Sequence, residues 1–130
     1  NERIETEARN RGLLCNRADR SGPRGPSSVV VPATARDDPV VASVSTGATS
    51  PALSRHLRGE LASVVEGAGA MADLTADLRE RMADRDTESR REALRAVVAS
   101  DSVWKALDTE SANPRQVATD VIVEATGDRI

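Results

Sequence analysis

Apolar positions in the first fifteen residues predict a helix followed by a buried strand. Ile4 and Ala8 share one face of a helix over residues 1–12, and Gly12 predicts its end. The apolar run at residues 13–15 indicates a buried strand. A helix and a strand in this order are typical of the last unit of a doubly wound α/β domain, which binds ligands beyond the carboxyl ends of its strands.

Asp19 follows the predicted strand and is the leading catalytic candidate. A carboxylate at a strand end, in a partly covered cleft, can exchange protons as a general acid or base. The alternative is a solvated loop carboxylate, or one paired with Arg17 or Arg20. Spacing alone favours this structural role, because functional carboxylates are the minority.

A second pattern predicts two strands, over residues 28–34 and 40–45, joined around residues 36–39. Val40, Ala42 and Val44 alternate with Val41, Ser43 and Ser45, which is the period of a half-buried strand. Pro32 cannot donate a ladder hydrogen bond and therefore predicts an edge or bulged strand. Because an isolated hairpin is rarely stable in water, these strands must pair with a further element, which can belong to the parent domain.

Beyond residue 65 the apolar residues recur at helical spacing. Asn113 and Pro114 predict the start of the last helix, Gln116 a capping box, and Gly127 its end. We interpret the stripes as core contacts, since packing is the usual role of an amphipathic face. They comprise Met71, Leu74, Leu78 and Met82; Leu94, Val97 and Val98; Val103, Trp104 and Leu107; and Val117, Val121 and Ile122.

Residues 44–58 read as a strand end, a tight turn and a helix start. Gly47 suits the turn, Ser50 can cap the helix, and Pro51 fits its first position. The helix would bury Leu53, Leu57 and Leu61. Positive charge gathers near its N-terminus, which favours a carboxylate ligand, although caps and surface arginines are also common without one. The three basic residues are Arg55, His56 and Arg58.

The amino-acid composition and charge argue against several classes of function. The 130 residues include one Trp and no Phe or Tyr, and the net charge of −3 is spread without a basic stripe, which argues against nucleic acids and anionic membranes. One Cys and one His exclude an internal disulfide and the usual protein-only zinc site. No apolar run reaches spanning length and no signal-peptide pattern is present, so we expect a cytoplasmic protein. The start at Asn1, within a predicted helix, indicates a fragment of a longer protein.

The order of residues 45–58, S-T-G-A-T-S-P-A-L-S-R-H-L-R, is more specific than these patterns. It resembles the S-S-G-G-T-S-P-x-L-A-R-x-L-R segment of the siroheme synthase N-terminal region, the precorrin-2 dehydrogenase/sirohydrochlorin ferrochelatase family. Residues 1–3 resemble the family's N-x-R helix start, residues 15–19 its C-N-x-x-D motif, and residues 29–33 its hydrophobic-Pro-small strand. The resemblance covers roughly residues 1–107 and is specific up to about Arg58.

The resemblance implies an α/β fold, present here as an α+β fragment. Residues 1–26 would end an NAD-binding Rossmann-like domain with its last helix and strand. Residues 27–50 would form a β-hairpin segment through which two chains make a homodimer, and residues 51–130 a helical domain. The extended loop at residues 20–28 departs from the family pattern.

The resemblance also implies NAD-dependent oxidation of precorrin-2 to sirohydrochlorin, followed in some members by insertion of ferrous iron as a second substrate. Asp19 matches the family's catalytic aspartate, which transfers protons. Arginines suit the many carboxylates of a tetrapyrrole. The residues expected to bind it are Asn16, Thr46, Gly47, Thr49, Ser50, Arg55 and Arg58.

The family's glycine-rich NAD fingerprint would lie upstream of residue 1, so no cofactor-binding or metal-ligating residue is expected within this chain. Gly67 and Gly69 follow a predicted helix rather than a strand and therefore indicate a helix junction. Thr46 replaces a family Ser, and Ala48 replaces a Gly at the turn. We expect the fragment to be inactive alone. The alternative function is a non-catalytic dimerisation or tetrapyrrole-binding module.

Overall fold

The structure, a computed structural model, describes residues 1–17, 19, 20, 29 and 31–127. These residues form six helices and a two-stranded antiparallel sheet, so the predicted α+β class is confirmed and the fold is mostly helical. In chain order the elements are α1 (Glu2–Asn10), β1 (Ala33–Asp37), β2 (Val40–Val44), α2 (Pro51–Val65), α3 (Ala68–Arg81), α4 (Thr87–Ala99), α5 (Asp101–Leu107) and α6 (Pro114–Thr126).

Helix α1 ends as its sequence predicts, but the strand expected after it is wrong. Gly12 has φ +68°, and the N–H groups of Gly12 and Leu13 donate to the carbonyls of Arg9 and Ala8. Leu13 and Leu14 are 56% and 74% exposed and lie outside any strand. The Leu13 N–H closes the helix end, and further along the Cys15 carbonyl accepts from Val29 N–H at 3.0 Å.

The predicted hairpin forms with a later first strand. Strand β2 begins at Val40 as predicted and shows the expected alternation of half-buried and exposed residues. Strand β1 begins only at Ala33, because Pro32 has no N–H for the ladder and Val31 is exposed. Residues 28 and 30 of the predicted strand, and residues 21–28 of the predicted long loop, lie outside the described residues.

Helix α2 starts at Pro51, and the Ser50 side chain caps it by accepting from Leu53 N–H at 3.4 Å. The predicted face of α2 is less buried than expected. Leu53 is 46% exposed, and Leu57 and Leu61 are only half-buried. The four-residue spacing defined the correct face, but burial depends on what packs against it.

Helices α3–α6 enclose the main hydrophobic core. All four predicted α3 positions are buried, and Leu78 is completely inaccessible. Val98 is exposed, contrary to expectation, while Ala93 takes a core position on α4. The core consists of Met71, Leu74, Leu78, Met82, Ala93, Val97, Val103, Ala118 and Ile122, with Leu94, Trp104, Leu107, Val117 and Val121 packed against it.

The ends of α6 follow the prediction except in one detail. Asn113 Oδ1 accepts from Gln116 N–H at 3.2 Å, and Gly127 ends the helix with φ +75°. The Gln116 side chain donates to Asp120 at 2.9 Å instead of completing a capping box. Helix α5 is preceded by Ser100, whose hydroxyl contacts Ser102 rather than the helix backbone.

Contacts divide the chain into two compact units. One comprises Asn1–Arg36 and Val41–Val64, and the other Asp37–Val40 and Val65–Ile130. The predicted division into residues 1–26, 27–50 and 51–130 remains a prediction. In the part of the chain that the structure describes, no helix has both the length and the apolar character needed to cross a bilayer.

The second unit carries a close approach between the hairpin tip and α3. Gly69 N–H donates to Asp37 Oδ2 at 3.0 Å, so that carboxylate satisfies a free donor in the first turn of α3. Gly67 has φ +76° and precedes the helix, which confirms the predicted helix junction. A Cβ at Gly69 would overlap the Asp38 carbonyl oxygen.

We therefore expect Gly69→Ala to destabilise the protein by about 2 kcal/mol, because the backbone at residue 38 must move to admit the methyl group. The matched control is Gly59→Ala in α2, where an added Cβ meets open space. It should stabilise by up to about 1 kcal/mol through helix propensity. Urea unfolding of both variants measures the difference, and equal effects would contradict the close approach.

Candidate functional site

A cleft of about 290 Å³ lies beside the N-terminus of α1, within the first unit. It contains both predicted site residues of the C-N-x-x-D motif, Asn16 and Asp19. Ala18 of the same motif lies outside the described residues. The cleft is lined by Asn1, Ile4, Cys15, Asn16, Arg17 and Asp19.

Asp19 forms a bidentate ion pair with Arg17. Arg17 Nε donates to Oδ1 at 2.7 Å and Nη2 donates to Oδ2 at 2.8 Å. Asn1 Nδ2 donates to Oδ2 at 3.0 Å. Arg17 is the one charged residue among the described residues that is buried, with 9% exposure. The paired arrangement considered as an alternative for Asp19 is thus formed, and it fixes the carboxylate from both oxygens.

Arg17 also joins this pair to α1. Its Nη1 donates to Glu5 Oε2 at 2.7 Å, and Arg20 Nη1 lies 3.7 Å from the same oxygen. The Arg17 guanidinium therefore donates hydrogen bonds to two carboxylates, that of Glu5 in α1 and that of Asp19 in the segment after α1. Such shared, partly buried pairs hold geometry better than isolated surface pairs.

The pair changes the acidity of both groups. The hydrogen bonds from Arg17, followed by the bond from Asn1, hold the pKa of Asp19 well below its ordinary value of 3.8. The bonds to Asp19 in turn raise the pKa of Arg17. At neutral pH Asp19 is ionised, so it can accept a proton but has none to donate.

The lowered pKa makes a pH-dependent contribution to stability. It is fully present above the unfolded-state pKa, near 3.8, and is lost as the pH falls through the lower folded-state value. We expect Asp19→Asn to lower the free energy of unfolding at pH 7 and the deficit to shrink below pH 3.8. Urea unfolding at several pH values measures this.

The control for that series is Glu7→Gln. Glu7 pairs with Arg11 at 2.6 Å, but both side chains are exposed, so its loss should change stability by less than about 0.5 kcal/mol. A pH-independent deficit in Asp19→Asn would contradict the ionic role of Asp19.

The second group of predicted residues forms a tight turn before α2. Gly47 and Ala48 have φ +62° and +63°, and Thr49 N–H donates to the Thr46 carbonyl at 3.1 Å. Two successive left-handed residues at the centre of a turn define the type I′ class. The turn brings Thr46, Gly47, Thr49 and Ser50 together.

The hydroxyls of this turn are engaged locally. Thr46 Oγ1 donates to the Ser50 carbonyl at 3.0 Å and lies 2.8 Å from Ser54 Oγ. Thr49 Oγ1 donates to the Thr46 carbonyl at 2.6 Å. In this structure these side chains stabilise the turn, and a ligand would have to compete for their protons.

Ala48 is the strained residue of the turn, because a side chain in the left-handed region costs about 1–2 kcal/mol. We expect Ala48→Gly to raise the free energy of unfolding by about 1 kcal/mol, after the greater flexibility of glycine in the unfolded chain is subtracted. Urea unfolding tests this, and a fall in stability would contradict the left-handed conformation.

Two arginines of α2 remain available to an anion. The Arg55 side chain is exposed and makes no hydrogen bond or ion pair with any residue that the structure describes. Arg58 is also exposed; its Nε donates to the Thr34 carbonyl at 2.8 Å, which steadies the side chain. Its Nη groups have no partner within the described ranges. His56 is exposed on the same helix.

The predicted residues thus fall into two groups within the first unit. Asp19 bonds Arg17 and Asn1, and none of its hydrogen bonds reaches residues 46–58 in the described structure. Sequence reasoning missed Glu5 and the bridging role of Arg17. Glu5 and Arg17 are twelve positions apart, so no local spacing indicates their contact.

Gly67 and Gly69 do not form a dinucleotide-binding loop in the described structure, because Gly69 adjoins the hairpin tip, where Asp37 accepts from Gly69 N–H. An aspartate carboxylate there would repel a phosphate. Among the described residues, no group of three Cys, His, Asp or Glu side chains is placed to hold a metal ion.

No family model matches the chain, and a search of curated proteins finds no match.

Proposed function

We propose that this chain is the tetrapyrrole-binding part of a precorrin-2 dehydrogenase, in which precorrin-2 is oxidised to sirohydrochlorin with NAD as the acceptor. The dinucleotide site would be supplied by residues other than those described here. Insertion of ferrous iron into the product is a further step of the same proposal. The basis is the resemblance of residues 1–58 to the siroheme synthase N-terminal region, together with the observation that follows.

The observation that carries the proposal is the backbone of the turn before α2. The family pattern has two successive glycines where this chain has Gly47 and Ala48, and both residues adopt the left-handed conformation that glycine favours. The turn then leads into a helix capped by Ser50 and begun by Pro51. The structure of this stretch therefore supplies a physical reason for the residue types of the pattern.

Arg55 and Arg58 supply the substrate contacts in this proposal. They lie three residues apart on α2, so they project from neighbouring positions of one helix face. Their exposed guanidinium groups can each donate two hydrogen bonds to a carboxylate. A tetrapyrrole with several carboxylate arms suits this pair better than a small monoanion.

Asp19 acts as a proton acceptor in this proposal. The oxidation removes a hydride and a proton from precorrin-2, and the ionised Asp19 can take the proton. Its low pKa makes it a weak base, because Brønsted behaviour ties strength to pKa. Asn16, exposed in the same cleft, would orient the substrate edge.

The hairpin supports the proposed homodimer. Two strands alone are marginal in water, and an unpaired strand edge is a ready surface for another strand. We propose that residues 27–50 pair across two copies of the chain.

The second candidate is a tetrapyrrole-binding or dimerisation module without catalysis. It is favoured by the ion pair that engages both oxygens of Asp19. Anaerobic incubation of the complete gene product with precorrin-2 and NAD distinguishes the two. Appearance of the sirohydrochlorin spectrum supports the dehydrogenase, and binding without turnover by folded protein supports the module.

A further inference from the structure

We propose that Arg17 is a positioning residue of the candidate site, which fixes the Asp19 carboxylate in the cleft by bridging it to Glu5 on α1. The inference deepens the function proposed above, and its activity arm rests on that function. Nothing in the resemblance assigns a role to residue 17, which occupies a variable position of the C-N-x-x-D motif.

The geometry sets Arg17 apart from the other arginines. Its side chain is only 10% exposed, whereas the arginines in the other α1 pairs, Arg9, Arg11 and Arg20, are 58%, 69% and 60% exposed. All three of its guanidinium nitrogens donate, Nε and Nη2 to Asp19 and Nη1 to Glu5. A planar guanidinium that donates from each nitrogen restrains its partners in both distance and angle.

Glu5 makes this arrangement more than a local pair. Its Oε1 accepts from Arg9 at 3.1 Å, one turn further along α1, while Oε2 accepts from Arg17. Glu5 is part of helix α1, its carboxylate accepts from Arg17, and Arg17 donates to Asp19. These contacts anchor the Asp19 carboxylate to a helix and not only to the loop that contains it.

Several charged and titratable groups of the described residues lie around Asp19. Arg17 contacts it directly, Glu5 and Arg20 adjoin Arg17, Cys15 lines the same cleft, and Asn1 carries the N-terminal amino group. Arg17 donates to Asp19 from two nitrogens, and the Asn1 side-chain amide donates to it at 3.0 Å. Removal of Arg17 should therefore release the carboxylate, whereas loss of a peripheral charge should alter its acidity far less.

The first experiment follows the Asp19 carboxyl by ¹³C NMR as a function of pH in the 130-residue chain. We expect the pKa of Asp19 to rise into its ordinary range in Arg17→Gln and part of the way in Arg17→Lys, which keeps the charge but loses the fork. The matched control is Arg11→Gln, which removes an exposed arginine from the adjoining helix end and should leave Asp19 unchanged. Amide spectra report whether each variant folds. If Arg17→Gln does not fold, the pKa of Asp19 in Arg17→Lys decides the test.

The second experiment measures kinetics in the complete gene product. We expect Arg17→Lys to lower kcat about tenfold with KM for precorrin-2 changed less than threefold, because misplacement of a reacting group affects the transition state more than binding. An Asp19 pKa that stays low in a folded Arg17 variant, or a wild-type kcat in Arg17→Lys, would overturn the inference. If the wild-type protein shows no turnover, the dehydrogenase proposal fails, while the NMR result still decides whether Arg17 controls Asp19.

Discussion

Replacing Asp19 with alanine should lower kcat for sirohydrochlorin formation about 100-fold, with little change in KM. General acid–base groups contribute roughly 10²- to 10⁴-fold, and a carboxylate with a strongly lowered pKa belongs at the weak end of that range. The measurement is anaerobic turnover of precorrin-2 with NAD, followed by the product spectrum. Asp19→Asn should show a similar loss, because the amide is nearly isosteric but cannot accept the proton.

The control for this experiment is Glu7→Gln. Glu7 lies on α1, as Glu5 does, and pairs with exposed Arg11. Its turnover should match that of the wild type. Equal rates for the wild type and Asp19→Ala would remove Asp19 from the mechanism and leave it the purely structural role that its ion pair allows.

Leu78→Ala should destabilise the protein by about 3–4 kcal/mol, the largest effect on stability that we expect from a single truncation. Leu78 is completely inaccessible to solvent and belongs to the core formed by α3–α6. Removing most of its side chain forfeits hydrophobic transfer and leaves a cavity, because close-packed surroundings relax only in part.

The matched control is Leu14→Ala. Leu14 is 74% exposed, so the same chemical change should alter the free energy of unfolding by less than about 0.5 kcal/mol. Urea unfolding followed by circular dichroism measures both variants. A large loss in Leu14→Ala would restore the buried strand that the sequence pattern predicted at residues 13–15.

Features set by neighbouring residues were predictable from the sequence. The Ser50–Pro51 and Asn113–Pro114 helix starts and the ends at Gly12 and Gly127 all rest on contacts within one or two turns. Each depends on a side chain or a backbone conformation that its own segment supplies. The turn at Gly47 was predictable for the same reason, because its own residues determine its backbone conformation.

Features set by distant residues were not predictable. Leu13 and Leu14 have the composition of a strand, but burial needs a neighbour, and both are exposed. Leu53 has the spacing of a core residue and is exposed for the same reason. The Glu5–Arg17 contact joins positions twelve apart, and the Asn1–Asp19 contact joins positions eighteen apart. Only the tertiary fold brings these groups together.

The most direct test of tetrapyrrole recognition is an absorbance titration of sirohydrochlorin with the 130-residue chain. We predict saturable binding that weakens about tenfold in Arg55→Ala and in Arg58→Ala, the value of a lost charge-assisted hydrogen bond. Arg79→Ala, which removes an exposed arginine of α3, should bind like the wild type. No saturable binding by the folded wild-type chain, or equal affinity in all four proteins, would contradict a tetrapyrrole site at the start of α2.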